Sequence, residues 1–460
     1  MLTRLRVDGF KNLLDFDMEF GPYTCLAGPN AAGKSNIFDA IEFLSLLADH
    51  PFAEAAHGLR AAGLPSGDPE ALFWQSGSES ATRLRLATEM LVAPEVEDDF
   101  GRRGEPTARF LSYEVELEHV SSPDGGPSAP GAHVPGPLRL VSEDLRCFSR
   151  KETIRRLPAP LRGKPFLDAV LKTKNRAPFI STETDGAGAR VVAVHQDGGS
   201  RGKPRVSPAR RAPRTVISTT TTIDDPTILA ARREMQQWRL LALEPSAMRA
   251  PDSMTSPSTI ATNGAHLAAA LTRMVREQSP DVLAAVAAEA AALTDVRQIA
   301  VDVDPRRDLL TLQARIGSDP LLPARALPDG TLRFLALCVI ALDDTYAGLI
   351  CLEEPENGIH PGRIEAMADL VRDLALDPAA PPGLDNPFRQ VVVNTHSPAF
   401  VRLQNPQDIL LARPTTLQRN GTLATTVRAV PLADTWRAKD APMVTSTAEI
   451  SDSLTILALS

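Results

Sequence analysis

Apolar and polar residues alternate twice near the start of the chain, at Leu2, Leu5, Val7 and Phe10 and again at Leu14, Phe16, Met18 and Phe20, which predicts the two strands of a hairpin. The run Tyr23-Thr24-Cys25-Leu26-Ala27 does not alternate and predicts a buried strand. Directly after it the period changes, and Ile37, Ile41 and Leu44 fall on one face of a helix. Residues 49–80, rich in Ala, Gly and Pro, predict irregular structure or short helices. Alternation returns at residues 83–87, 111–117 and 138–141, the pattern of an antiparallel sheet with one wet face. The Pro/Gly/Ser-rich link at 121–137 reads as a flexible loop. A helix is expected near 167–172 and a strand at 191–194. Helical spacing dominates residues 226–278, with Leu267, Leu271 and Met274 on one face, and an Ala-rich helix covers 285–293. Residues 299–303 and 309–316 predict a hairpin around Asp304-Pro305-Arg306-Arg307-Asp308. Asp329 reads as the N-cap of an apolar helix running to about Leu342. The apolar runs at 348–352 and 390–393 fit central parallel strands.

Chemistry gathers where these runs end. Between the buried strand and the first helix stands Gly28-Pro29-Asn30-Ala31-Ala32-Gly33-Lys34-Ser35, followed by Asn36. A strand, a glycine-rich turn and a helix start form the context of a phosphate-binding loop for a nucleoside triphosphate. The glycines permit close approaches that a Cβ would block, and the free N–H groups and helix dipole favour phosphate oxygens. Lys34 can reach the β- and γ-phosphates, and Ser35 can supply a ligand to Mg²⁺. The run at 348–352 ends in Glu353-Glu354, one carboxylate suited to the Mg²⁺ shell and the next to deprotonating an attacking water. The strand at 390–393 runs into Asn394-Thr395-His396-Ser397-Pro398, where a histidine can reach a phosphate or the water.

Composition narrows the setting. The 460 residues are 43% hydrophobic and 23% charged, as in soluble globular proteins, and no apolar stretch is long enough for a membrane span. Cys25, Cys147, Cys338 and Cys351 are far apart, and three lie in apolar runs, which suggests reduced thiols and a cytoplasmic location. The net charge is −8, yet residues 146–214 hold seventeen Lys/Arg against five Asp/Glu, a net of +12 that leaves −20 elsewhere. Such asymmetry suggests a basic patch for an acidic partner, with nucleic acid first in line.

Taken in order, these pieces resemble the ATP-binding-cassette (ABC-type) ATPases of the RecF/SMC/OLD kind, in the compact branch without a coiled coil that is found in prokaryotic antiphage defence. The resemblance rests on Asp8-Gly9-Phe10-Lys11-Asn12, on residues 28–35, on Leu327-Pro328-Asp329-Gly330-Thr331-Leu332-Arg333, on Glu353-Glu354-Pro355-Glu356-Asn357-Gly358-Ile359-His360-Pro361 and on residues 394–398. Arg249-Ala250-Pro251 and Asn263-Gly264-Ala265-His266-Leu267 are similar to a weaker stretch of the same branch. The resemblance covers roughly residues 1–48 and 296–405. It implies an α/β ATPase core of mixed sheet flanked by helices, with an antiparallel subdomain and a basic, largely helical insertion. The divisions expected are 1–145, 146–295 and 296–460.

The resemblance also implies roles. Residues 28–36 bind ATP, and Ser35 and Glu353 serve Mg²⁺. Glu354 is the catalytic glutamate, His396 the switch histidine, and residues 355–358 the loop that communicates across a dimer. Asp329, Gly330 and Thr331 sit in the signature motif, which contacts ATP from the opposite subunit, so that a homodimer or higher oligomer sandwiches two nucleotides head-to-tail. Pro328 replaces the signature serine and offers neither a hydroxyl nor an N–H to a γ-phosphate. Gln75 and Glu143 both stand as candidates for the glutamine loop. The leading reading is a switch that gates a separate nuclease or toxin in antiphage defence. The alternatives are a repair ATPase clamping duplex DNA through 146–214 and a slow-hydrolysing scaffold.

Overall fold

A computed structural model describes residues 1–30, 32–59, 69–77, 79–120, 137–172, 178–197, 202–383, 385–419 and 421–455. Ala31, Arg201 and nearly all of the link at 121–137 lie outside them. The chain divides into two compact units. One contains Met1–Trp238, Pro378–Pro381 and Pro406–Ser460, and the other Arg239–Asp377 and Pro382–Asn405.

The first unit is built on an eight-stranded antiparallel sheet, in the order Arg205–Pro208, Arg190–Val194, Ile180–Thr184, Leu138–Cys147, Phe110–His119, Arg83–Leu91, Leu2–Asp8 and Phe16–Glu19. The expected wet face is present where the alternation is strongest: Leu84 and Leu86 are buried, while Arg83 faces Glu116 at 3.3 Å and Arg85 faces Glu114 at 2.7 Å on the exposed side. Within residues 146–295 the strands at 180–184, 190–194 and 205–208 continue this sheet, interspersed with the short helices Arg150–Arg156 and Lys164–Val170, and the part from Pro226 onward is predominantly helical. The same unit holds the wholly buried strand Tyr23–Ala27, which pairs in parallel with Ile409–Arg419; that strand pairs in turn with Thr422–Pro431. Burial on both faces explains why residues 23–27 show no alternation. The helix Lys34–Leu47 buries Ile37, Ile41 and Leu44, and Phe43 stacks on Phe10 at 5.8 Å.

In the second unit Arg239–Leu241, Gly348–Glu353 and Arg389–Thr395 form a parallel set. Helices Leu267–Glu277, Val282–Ala291, Asp329–Leu342 and Ile364–Asp373 belong to this unit, as does the hairpin Val296–Asp304 with Leu309–Ile316. Leu267, Leu271 and Met274 are buried, as the helical spacing predicted. None of the four cysteines forms a disulfide, and three of them are buried. Among the described residues no helix is long and apolar enough to cross a membrane.

Candidate functional site

The candidate phosphate loop lies in the first unit. Gly28 leaves the buried strand so close to Ala412 that a Cβ would sit 2.9 Å from its carbonyl oxygen. Gly33 adopts φ +92°, and a Cβ there would fall 2.2 Å from Asn12 Nδ2. Both positions therefore require glycine. Gly33 is the N-cap of the helix Lys34–Leu47, which has no side-chain cap and no acidic residue in its first turn to neutralise its positive end. Lys34 is buried, and its Nζ donates to the carbonyls of Gly28 and Pro29 at 2.7 Å each. Ser35 and Asn30 are exposed. Ala31 falls outside the described residues, and Ala32 is buried.

Two side-chain pairs brace this loop. Asn36 Nδ2 donates to Asn12 Oδ1 at 2.7 Å, which turns the rest of the Asn12 amide toward Gly33, and Lys11 pairs with Asp39 at 2.6 Å. The turn after the first strand is thus strapped to the helix that follows the loop. The motif at residues 8–12 was visible in the sequence. Its bonding partners, 24 and 28 residues away, were not.

The acidic candidate region lies in the second unit. Glu353 ends the buried strand Gly348–Glu353 opposite Asn394, whose amide donates to Glu353 Oε1 at 3.3 Å. Glu354 leaves the strand at φ +47°, a left-handed conformation that costs a non-glycine residue about 1–3 kcal/mol. Its N–H donates to the Asn394 carbonyl at 2.9 Å, which holds it there. The result is a close pair, with His396 Nδ1 2.6 Å from Glu354 Oε1. The carboxylate side chain is 28% exposed and the imidazole 44%, so both can meet solvent and a ligand. Two residues on, Glu356 is buried; Thr395 Oγ1 donates to it, and burial raises its pKa.

The segment 327–333 belongs to the same unit. Asp329 is not the N-cap expected from sequence. Pro328, at φ −62° and ψ 148°, takes that position without a side-chain cap, and Asp329 becomes the first helical residue. Its carboxylate is bound by Arg249. Proline's fixed φ suits the entry to a helix, which displaces the aspartate by one residue. Gly330 lies near the Gly358 carbonyl, and Arg333 Nη1 reaches the Asn357 carbonyl at 3.5 Å, so the segment meets the 356–358 loop.

The two glutamine-loop candidates sit in contrasting settings. Gln75 is exposed in a two-residue strand. Glu143 is wholly buried in the antiparallel sheet, accepting from the N–H groups of Val216 (2.6 Å) and Ile217 (2.8 Å) and from Tyr113 Oη (3.2 Å). Burial outweighs these donors and pushes its pKa up to about 7. Several bases of the 146–214 segment are engaged by the unit itself: Arg156 by Glu89, Lys172 by Glu105 and Arg205 by Asp225.

Residues 252–402 match the family model "AAA domain, putative AbiEii toxin, Type IV TA system". A stretch of 44 residues is 48% identical to the OLD nuclease of Thermus scotoductus (strain ATCC 700910 / SA-01), covering 10% of this chain and only 8% of that protein's length. Among solved structures, the SmcHead bound to the C-winged helix domain of ScpA is similar at 12% identity and a TM-score of 0.47, over 94% of this chain and 98% of that one. The SMC head domain from Thermotoga maritima is similar over the same shares, at 12% identity and a TM-score of 0.36. Over residues 252–402 the chain is thus similar to that AAA family, and its motifs resemble those of the RecF/SMC/OLD-like ABC-type ATPases.

Proposed function

We propose that this protein is an ATP-hydrolysing switch, which binds ATP·Mg²⁺ through residues 28–36, closes into a head-to-tail dimer around it, and gates a separate nuclease or toxin in antiphage defence. The observation that carries the reading is the Glu354–His396 pair at the end of a buried parallel strand. Glu354 Oε2 is the base for the water that attacks the γ-phosphate, and the left-handed backbone at Glu354 fixes where that oxygen points. The hydrogen bond between His396 Nδ1 and Glu354 Oε1 orients the carboxylate. Lys34 and the uncapped helix end bear the phosphate charge. Ser35 and Glu353 provide the hard oxygen donors that suit Mg²⁺, which takes few protein ligands and fills its shell with phosphate oxygens and water. When bound, Mg²⁺ supplies charge neutralisation on the phosphates.

The test is ATP turnover by the purified chain, with Lys34→Ala as background and duplex DNA as a variable. Turnover above background that is indifferent to DNA supports an effector-coupled switch. Turnover at the Lys34→Ala level overturns the hydrolytic reading. A second reading, DNA contact through 146–214, is favoured by the exposed edge strand Arg205–Pro208 with Arg210 and Arg211 beyond it. It predicts binding that weakens steeply with salt, and flat salt dependence would count against it.

A further inference from the structure

The helix Asp329–Leu342 begins with a charge arrangement that its proposed task does not explain. A segment meant to meet ATP phosphates from a second copy carries a carboxylate, Asp329, on its first residue. A carboxylate and a phosphate compete for the same positive helix end. Arg249 resolves the conflict. Its Nη2 binds Asp329 Oδ1 and donates to the Leu327 carbonyl at 3.0 Å, so a single guanidinium spans Pro328 from both sides.

The arginine is itself held in place. It is the last residue of the helix Pro245–Arg249, which packs on the helix Asp329–Leu342. Three residues later Asp252 is pinned by reciprocal backbone hydrogen bonds with Leu310, and its carboxylate accepts from Ala269 N at 3.0 Å and meets His266 Nδ1 at 2.9 Å. The Arg249–Asp329 pair is a third to two-thirds exposed, where an ion pair adds little to folding stability. A cation at a helix N-terminus also opposes the helix dipole. Stability therefore gives no reason for an arginine here, whereas the local charge does.

We propose that Arg249 is a positioning residue for ATP-driven self-association: it neutralises Asp329 and holds its carboxylate away from the N–H groups of Gly330 and Thr331, which then donate to a phosphate of the ATP held by a second copy. Arg249 touches no phosphate itself. The inference rests on the proposed head-to-tail dimer, and its test separates the two.

The experiment measures ATP-dependent dimerisation by sedimentation on a Glu354→Gln background, which slows turnover, alongside binding of a fluorescent ATP analogue to the monomer. Adding Arg249→Ala is expected to weaken dimerisation about 10- to 100-fold through the unpaired carboxylate, with monomer nucleotide affinity within about 2-fold. Adding Asp329→Asn to Arg249→Ala is expected to restore dimerisation to within about 3-fold, and Asp329→Asn alone to tighten it a few-fold by leaving a free cation beside the phosphate. Arg249→Lys, which keeps the charge but loses the fork, should fall between. Dimerisation unchanged by Arg249→Ala overturns the proposal. So does failure of Asp329→Asn to rescue, since a purely structural clamp on Leu327 would not respond to that change. A parent protein that stays monomeric with ATP overturns the dimer reading, and the proposal with it.

Discussion

The two candidate regions each follow a buried parallel strand, but they are made of different material. The phosphate loop is a backbone device, with two glycines that admit no Cβ, an uncapped helix end and a lysine folded onto its own loop carbonyls. The Glu353–Glu354 end is a side-chain device, in which a left-handed residue, an asparagine carbonyl and a histidine aim one carboxylate. Backbone donors bind a phosphate in much the same way throughout a reaction. A poised carboxylate acts only as the water is deprotonated. The first region should therefore govern affinity and the second rate.

The sharpest break between them is Lys34→Ala. It removes the buried ammonium, and ATP affinity measured by calorimetry is expected to fall at least about 100-fold. Loss of turnover with affinity intact would erase the distinction. His396→Ala should do the opposite: turnover drops about 10- to 100-fold with affinity within about 2-fold, because the carboxylate loses its orienting donor. His396→Gln, which retains a donor, should recover part of that rate.

A carboxylate outside both regions serves as a control. Glu143 titrates at about 7 in the folded chain against an ordinary 4.5, so the folded state holds the extra proton between those values. Stability must then fall as pH rises from about 5 to above 7, by about 3 kcal/mol at most. Glu143→Gln should flatten that slope in denaturant melts at pH 5 and pH 8 while leaving ATP affinity unchanged. A slope that survives the substitution would assign the pH dependence to other groups.

How much of this was legible in the sequence depended on how local the cause was. The strand–turn–helix geometry at residues 23–47 could be read outright, because its backbone demands are written locally, in Gly28 and Gly33. Glu353, Glu354 and His396 were legible as strand ends in a known motif order. The N-cap was misplaced by one residue because Pro328 supplies the entry geometry that aspartate usually supplies. The strands at 180–184 and 205–208 escaped notice because one is mostly polar and the other fully exposed, so neither shows a continuous apolar face. The Arg249–Asp329 pair spans 80 residues, and no periodicity records a contact of that range.

The central claim, that Glu354 is the base of an ATP-hydrolysing switch, is tested most directly by single-turnover hydrolysis of saturating ATP·Mg²⁺ by the wild-type chain and by Glu354→Gln, with bound nucleotide measured in the same samples. The account predicts equal binding and a rate at least about 100-fold lower for the variant. Equal binding with an unchanged rate would contradict it.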